Sequence, residues 1–189
     1  MSLMQRIIDH IRSVCDLPEE SASRLVAAVT PCRFNRRQML VEAGRKTGYA
    51  YFIVSGMTRS YWLVEGEEIT TSFSFEGAIV FSMDEVYYGL PSEEFVEAVE
   101  PIEAFAIEVA ELRRLWAEDF PLCRWGLRIH QNEYRRIHQS HRERLTLPAA
   151  ARYEAFCRQF PEAVRRARLG DIASYLGVDR STLSRLRRR

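Results

Sequence analysis

The 189-residue sequence predicts an α+β fold: short leading helices, an antiparallel β-roll of double-stranded jelly-roll kind, one long central helix, and a terminal helix-turn-helix. Three observations predict it. Apolar periodicity changes from helical to strand-like near Cys32 and returns to helical near Val109. The final residues, LGDIASYLGVDRSTLSRLRRR, read as two short helices joined by a tight turn, with a basic outer face. Charge is also split along the chain. The net charge is only +1, yet the stretch from Arg124 onward holds sixteen arginines and six acids, a net +10, leaving −9 for the residues before it. An acidic front and a basic back fit a sensor joined to a nucleic-acid module.

Residues from about Leu3 to Val29 carry Ile7, Ile8, Ile11, Val14, Leu25, Val26 and Val29 at helical spacing, with a break at Leu17-Pro18. From Cys32 to about Val109, short runs rich in β-branched and aromatic residues (YAYFIVSG, MTRSYWLV, EITTSFSF, FVEAVE, EAFAIEV) alternate with turn signals at Gly44, Gly56, Gly66, Gly77 and Pro101. Gly66, flanked by acids, marks a hairpin. The alternation of Glu97, Glu100 and Glu103 with apolar neighbours, and the pair Glu67-Glu68, predict an outward, solvated sheet face. Helix resumes from Ala110 to Trp116 and breaks at Asp119-Phe120-Pro121. A long polar helix then runs from Leu122 towards Leu145, with Leu122, Trp125, Ile129, Ile137 and Leu145 on a thin apolar stripe that needs a partner, either the β unit or the same helix of a second subunit. Pro148 ends it, and Ala149 to Phe160 is another amphipathic helix. The expected domains are 1–121 for the sensor, 122–147 for the dimerisation helix and 148–189 for the DNA-binding unit.

In the terminal segment Leu169, Ile172, Leu176, Val178, Leu183 and Leu186 face inward, and small Ala173 permits a close helix crossing. Gly177 sits where the first helix must stop, because glycine enters the left-handed region without a steric penalty. Asp179 can cap the second helix. That helix exposes Arg180, Ser181, Ser184, Arg185 and Arg188, donors suited to a major groove. A structural helical hairpin would share the apolar spacing, but not the Ser-Thr-Leu-Ser-Arg run with its arginine tail.

The order of parts resembles the catabolite-activator and fumarate-nitrate-reductase regulator family. AYFIVSGMTRSYWLVEGEEIT carries the likeness for the roll and IASYLGVDRSTLSRLRR for the helix-turn-helix. The resemblance implies a cytoplasmic homodimer joined through the long helix, bound to a palindromic site on double-stranded DNA, with RNA polymerase as a further candidate partner. It also implies an effector pocket on the roll, at Phe75, Gly77, Phe81, Ser82, Ser92 and Glu93. The family's phosphate cassette is degenerate here. Phe81-Ser82 stands at the Gly-Glu position and Ser92-Glu93 at the Arg-Ser position, so the ribose-binding glutamate and phosphate-gripping arginine are absent. Glu93 and Glu94 would repel an anionic ligand, and cyclic AMP is expected to bind weakly or not at all. A pocket filled by side chains is an equal expectation, and the effector is left open. The resemblance puts Arg180, Ser181 and Arg185 at base-reading positions and Thr182, Arg187 and Arg188 at phosphate contacts; Ser181 stands where relatives often carry an acid, which implies an altered DNA sequence preference. The sequence ends at Arg189 without the family's β-hairpin wing, which implies fewer phosphate contacts.

Other functions fit less well. Cys15, Cys32, Cys123 and Cys157 are too dispersed for a zinc, iron–sulfur or redox motif, and the stretch Arg33 to Val109 holds no histidine for haem or for a cupin-type metal enzyme. No metal site or certain cofactor is expected, and no enzyme activity. His138 and His141 share a helix face, where solvated histidines are the ordinary reading. Tyr87, Tyr88, Trp116 and Trp125 could stack on a ligand base, although core or interface aromatics are commoner. No signal peptide and no apolar stretch of about 20 residues is present, which argues against a membrane. The remaining rival is a ligand- or protein-binding regulatory module whose shortened DNA unit no longer binds DNA.

Overall fold

The computed structural model describes residues 3–188; Arg189, the last of the arginine tail, lies outside them. Two helices, α1 (Leu3–Val14) and α2 (Glu19–Ala28), lead into eight strands. These are β1 (Thr30–Phe34), β2 (Met39–Val41), β3 (Tyr49–Ser55), β4 (Thr58–Val64), β5 (Glu67–Ser74), β6 (Ile79–Val80), β7 (Phe95–Ala98) and β8 (Ile102–Glu108). They form two four-stranded sheets, ordered β1-β8-β3-β6 and β2-β7-β4-β5, antiparallel throughout. Inward residues of both sheets, among them Val41, Ile53, Val96 and Ile102, fill the space between them. The β4–β5 hairpin turns at Glu65-Gly66, both at positive φ, and a bulge leaves Thr71 unpaired opposite the Ser60-Tyr61 step. A five-residue π-helical turn, Asp84–Tyr88, interrupts the strand pattern after β6; the sequence contains no periodic cue for it.

Helix α3 (Val109–Glu118) closes the roll, and α4 (Phe120–Thr146) follows without a linker. Asp119 starts α4: its Oδ1 accepts from the Leu122 amide at 3.1 Å and from the Ser21 hydroxyl at 2.9 Å, and Pro121 occupies the first turn. The N-terminal half of α4 packs on the outer face of the β1-β8-β3-β6 sheet together with α1 and α3. There Trp125 stacks on Phe52 at 5.6 Å, among Ile7, Ile11, Leu25, Ile107, Leu112 and Leu122. Burial of such side chains contributes about 1.5–3 kcal/mol each.

Two sequence expectations are corrected here. Trp125 is 2% exposed and Ile129 packs against the same core, so both face the chain's own roll. Of that expected stripe Ile137 and Leu145 are exposed, as are Phe120, Leu127 and Tyr134 of the same helix. Glu97, expected on a solvated sheet face, is buried. It lies directly across from Arg59 in the β4–β7 register, and the charge pair, not alternation, explains its inward position.

Candidate nucleic-acid interface

Beyond Leu147-Pro148 come α5 (Ala149–Gln159), α6 (Pro161–Arg166), α7 (Leu169–Leu176) and α8 (Arg180–Leu186). The turn between α7 and α8 forms as the local chemistry dictates. Gly177 takes φ +64°, and its amide closes α7 by donating to Ser174 O, while the Val178 amide donates to Ala173 O. Asp179 caps α8, accepting from the Thr182 amide at 2.8 Å and from the Ser181 and Thr182 hydroxyls at 2.6 and 2.8 Å. These three donors hold its carboxyl well below the usual carboxylate range. Leu183 is wholly buried against Phe156, Ile172, Ala173 and Leu176.

With Leu183 turned inward, α8 presents the opposite face. Arg180, Ser181, Arg185, Arg187 and Arg188 are exposed, and Thr182 and Ser184 half-exposed. Thr182 is committed locally: its hydroxyl donates to Asp179 and accepts from Arg185 Nη2 at 3.1 Å. No carboxylate from the roll reaches this face; the cations of α8 have no ion pair among the described residues.

The unit is held against the roll by α7. Met57, Phe73 and Val99 of the roll share an apolar cluster with Phe156, Phe160, Ile172 and Tyr175. Beside it runs a ring of alternating charges. Arg59, 1% exposed, reaches Glu97 at 3.0 Å and Asp171 at 3.6 Å, while Arg168 reaches Glu97 at 2.9 Å and Asp171 at 2.8 Å. The Arg59 guanidinium also contacts Glu68 at 2.6 Å, donates to Thr70 Oγ1 at 2.9 Å and sits 4.5 Å over the Tyr61 ring. Ser174 Oγ accepts from the Thr70 amide and donates to Glu68 O, and Arg166 pairs with Glu76 and Glu100. The charge pattern gave no hint of these contacts; an arginine inside a strand reads as surface, and only pairing brings it inside.

The six residues expected to line an effector pocket do not share one wall. Phe75 lies against Phe160 and under Arg166, on the helix-turn-helix side. Gly77, at φ +89°, leaves room for the His10 ring of α1, which a Cβ would meet at 2.6 Å. Phe81 joins an edge-on cluster with Tyr87, Trp116 and His130. Tyr87 stacks on Trp116 at 6.0 Å and hydrogen-bonds His130; burial pushes the His130 ring below its ordinary pKa and the Tyr87 phenol up to about 12.

Ser82, Ser92 and Glu93 do gather around the loop 82–94. Ser82 Oγ accepts from the Glu85 amide at 3.2 Å, Ser92 Oγ accepts from the Glu94 amide and donates to its carbonyl, and the Glu93 amide donates to Asp84 Oδ2 at 3.2 Å. The residue that organises this loop is one the sequence reading passed over. Buried Glu85 accepts from the Thr47 and Gly48 amides, both at 2.8 Å, and so ties the π-turn to the loop before β3. Glu94, bonded to the bulged Thr71 hydroxyl, has its pKa raised by burial and by Asp84. The loop therefore gathers four acids, Asp84, Glu85, Glu93 and Glu94.

Comparisons with known proteins agree with this architecture. Residues 31–119 match the family model of the cyclic nucleotide-binding domain. No curated protein matches the sequence. Among solved structures, FixK2 from Bradyrhizobium japonicum is similar at a TM-score of 0.72 and 19% identity, over 85% of this chain and 83% of that one. The c-di-GMP-responsive regulator CLP from Xanthomonas campestris gives 0.71 and 15%, over 90% of each chain. A CRP/FNR-family transcriptional regulator, described as putative, from Eubacterium rectale gives 0.72 and 15%, over 92% and 83%. The protein thus has the fold of the CRP/FNR regulators: a cyclic-nucleotide-binding-type roll, a long helix and a helix-turn-helix.

Proposed function

We propose that the protein is a DNA-binding transcription regulator that acts as a homodimer and answers to an effector other than cyclic AMP. One observation carries the reading: a capped, eight-position recognition surface from Asp179 to Leu186 that buries Leu183 and turns Arg180, Ser181 and Arg185 outward, the two arginines without an ion pair among the described residues. Arg180, Ser181 and Arg185 are assigned to base edges and Arg187 and Arg188 to phosphates, with Ser184 and the cap-bound Thr182 beside them. The outer stripe of α4 supports the dimer. Phe120, Leu127 and Tyr134 recur every seven residues, and Ile137 follows three after Tyr134, the spacing of a two-helix seam. The acidic loop at 82–94 supports exclusion of a cyclic phosphate diester.

Fluorescence anisotropy of the full chain on a library of labelled duplexes tests the reading. Salt-dependent binding by a dimer, with preference for a two-fold symmetric site, is the expected result. A dimer that shows no affinity for any duplex at about 50 mM salt would instead favour the protein- or ligand-binding module. An activator would further show RNA polymerase recruitment in a reconstituted transcription assay.

A further inference from the structure

We propose that the cleft between α4 and α5 binds a small phosphate-bearing anion held between the guanidinium groups of Arg135 and Arg158. The cleft encloses about 360 Å³, within the range of small-molecule sites. One wall comes from α4, where Asn132, Arg135, Arg136 and Gln139 share a face at spacings of three, four and seven. The other comes from Arg158 and Gln159 of α5.

The cations here exceed the acids. Arg136 is engaged: it pairs with Glu133, donates to Ser72 at 2.9 Å and lies 5.3 Å over the Phe160 ring. Glu143, the acid of the lining, accepts from Gln139 at 2.9 Å. Arg135 and Arg158 are left with no ion pair among the described residues. Near the start of α5, outside the cleft lining, Arg152 donates Nη1 to Arg144 O, while its buried Nε has no acceptor. Two guanidinium groups without ion pairs on facing helices, flanked by side-chain amides, supply the charge and the hydrogen-bond donors that a phosphate group takes. The site also straddles the Leu147-Pro148 corner. An anion bridging it would tie α4 to the helix-turn-helix unit and hold one angle between them. This last step rests on the proposed function; the binding site itself does not.

The test is calorimetric titration of the full chain with inorganic pyrophosphate, without DNA. Saturable one-to-one binding is expected, weakened about tenfold or more by Arg135→Gln or Arg158→Gln, since each removes a charge-assisted hydrogen bond. Arg113→Gln, on exposed α3, should leave it unchanged. Absence of saturable heat up to about 10 mM, or an equal loss in Arg113→Gln, would overturn the site. Succinate binding as tightly as pyrophosphate would overturn the phosphate assignment. If Arg158→Gln lowers DNA affinity while wild type ignores pyrophosphate, the arginines serve the DNA backbone and the small-ligand site is refuted.

Discussion

Replacing Arg59 with methionine isolates the contact between roll and helix-turn-helix. The arginine is 1% exposed, and its Nη1 serves Glu68, Glu97 and Asp171 while Nε serves Thr70. Methionine restores most of the stem volume but leaves buried Glu97 with Arg168 alone, and Thr70 Oγ1 without its donor. Breaking a buried pair from one side costs about 3–5 kcal/mol. Arg168 still reaches both Glu97 and Asp171, so the lower end, about 3 kcal/mol, is expected. For a chain of this size that amounts to roughly 6–12 °C in Tm. Urea unfolding followed by circular dichroism measures it, and a cycle with Asp171→Asn should return a coupling of about 1 kcal/mol, because that contact is the longest in the ring. A loss below about 1 kcal/mol with an unchanged denaturant slope would show that the ring is solvated and that the apolar cluster alone holds the unit.

Arg185→Ala should cost about 1–3 kcal/mol in DNA affinity and relax preference at one base position, whereas Arg188→Ala should weaken all duplexes alike and reduce the salt slope by about 1, both by anisotropy titration. Leu127→Lys, on the outer stripe of α4, should yield a folded monomer in sedimentation velocity; a persisting dimer would place the seam elsewhere. Trp125→Ala should instead cost about 3–5 kcal/mol of fold stability, since that ring lies in the core. Glu94→Gln should stabilise the protein at neutral pH. Burial raises the pKa of Glu94 in the fold, so folded and unfolded chains are both protonated below the ordinary carboxylate range, and wild type loses stability relative to the variant as pH climbs from there through the raised folded value. Identical stability–pH curves would refute that.

The parts legible in the sequence are those set by short-range chemistry. Gly177 and Asp179 declare the turn before α8 because left-handed backbone and N-capping are local requirements. The glycine-punctuated strands are legible for the same reason. What stayed hidden depends on partners distant in sequence. Arg59 and Glu97 are 38 positions apart, so neither reveals that the other neutralises it. Trp125 and Leu127 look equally apolar along α4, and only the packed roll decides which turns inward. The π-turn at Asp84–Tyr88 has no periodicity to announce it, and Glu85 acquires its role only when the Thr47-Gly48 backbone arrives opposite.

Strand β5 closes one side of its sheet, with β4 its only neighbour among the described residues. Its outward peptide groups at Glu68 and Thr70 find their complement in a serine hydroxyl on α7. Any swing of the terminal unit away from the roll therefore uncovers a bare strand margin, the kind of surface on which polypeptides stack and precipitate. Water must take over those groups at once, and the acids at the hairpin tip, Glu65, Glu67 and Glu68, then discourage another chain from settling there. Movement of the reading head is thus tied to the colloidal behaviour of the whole molecule.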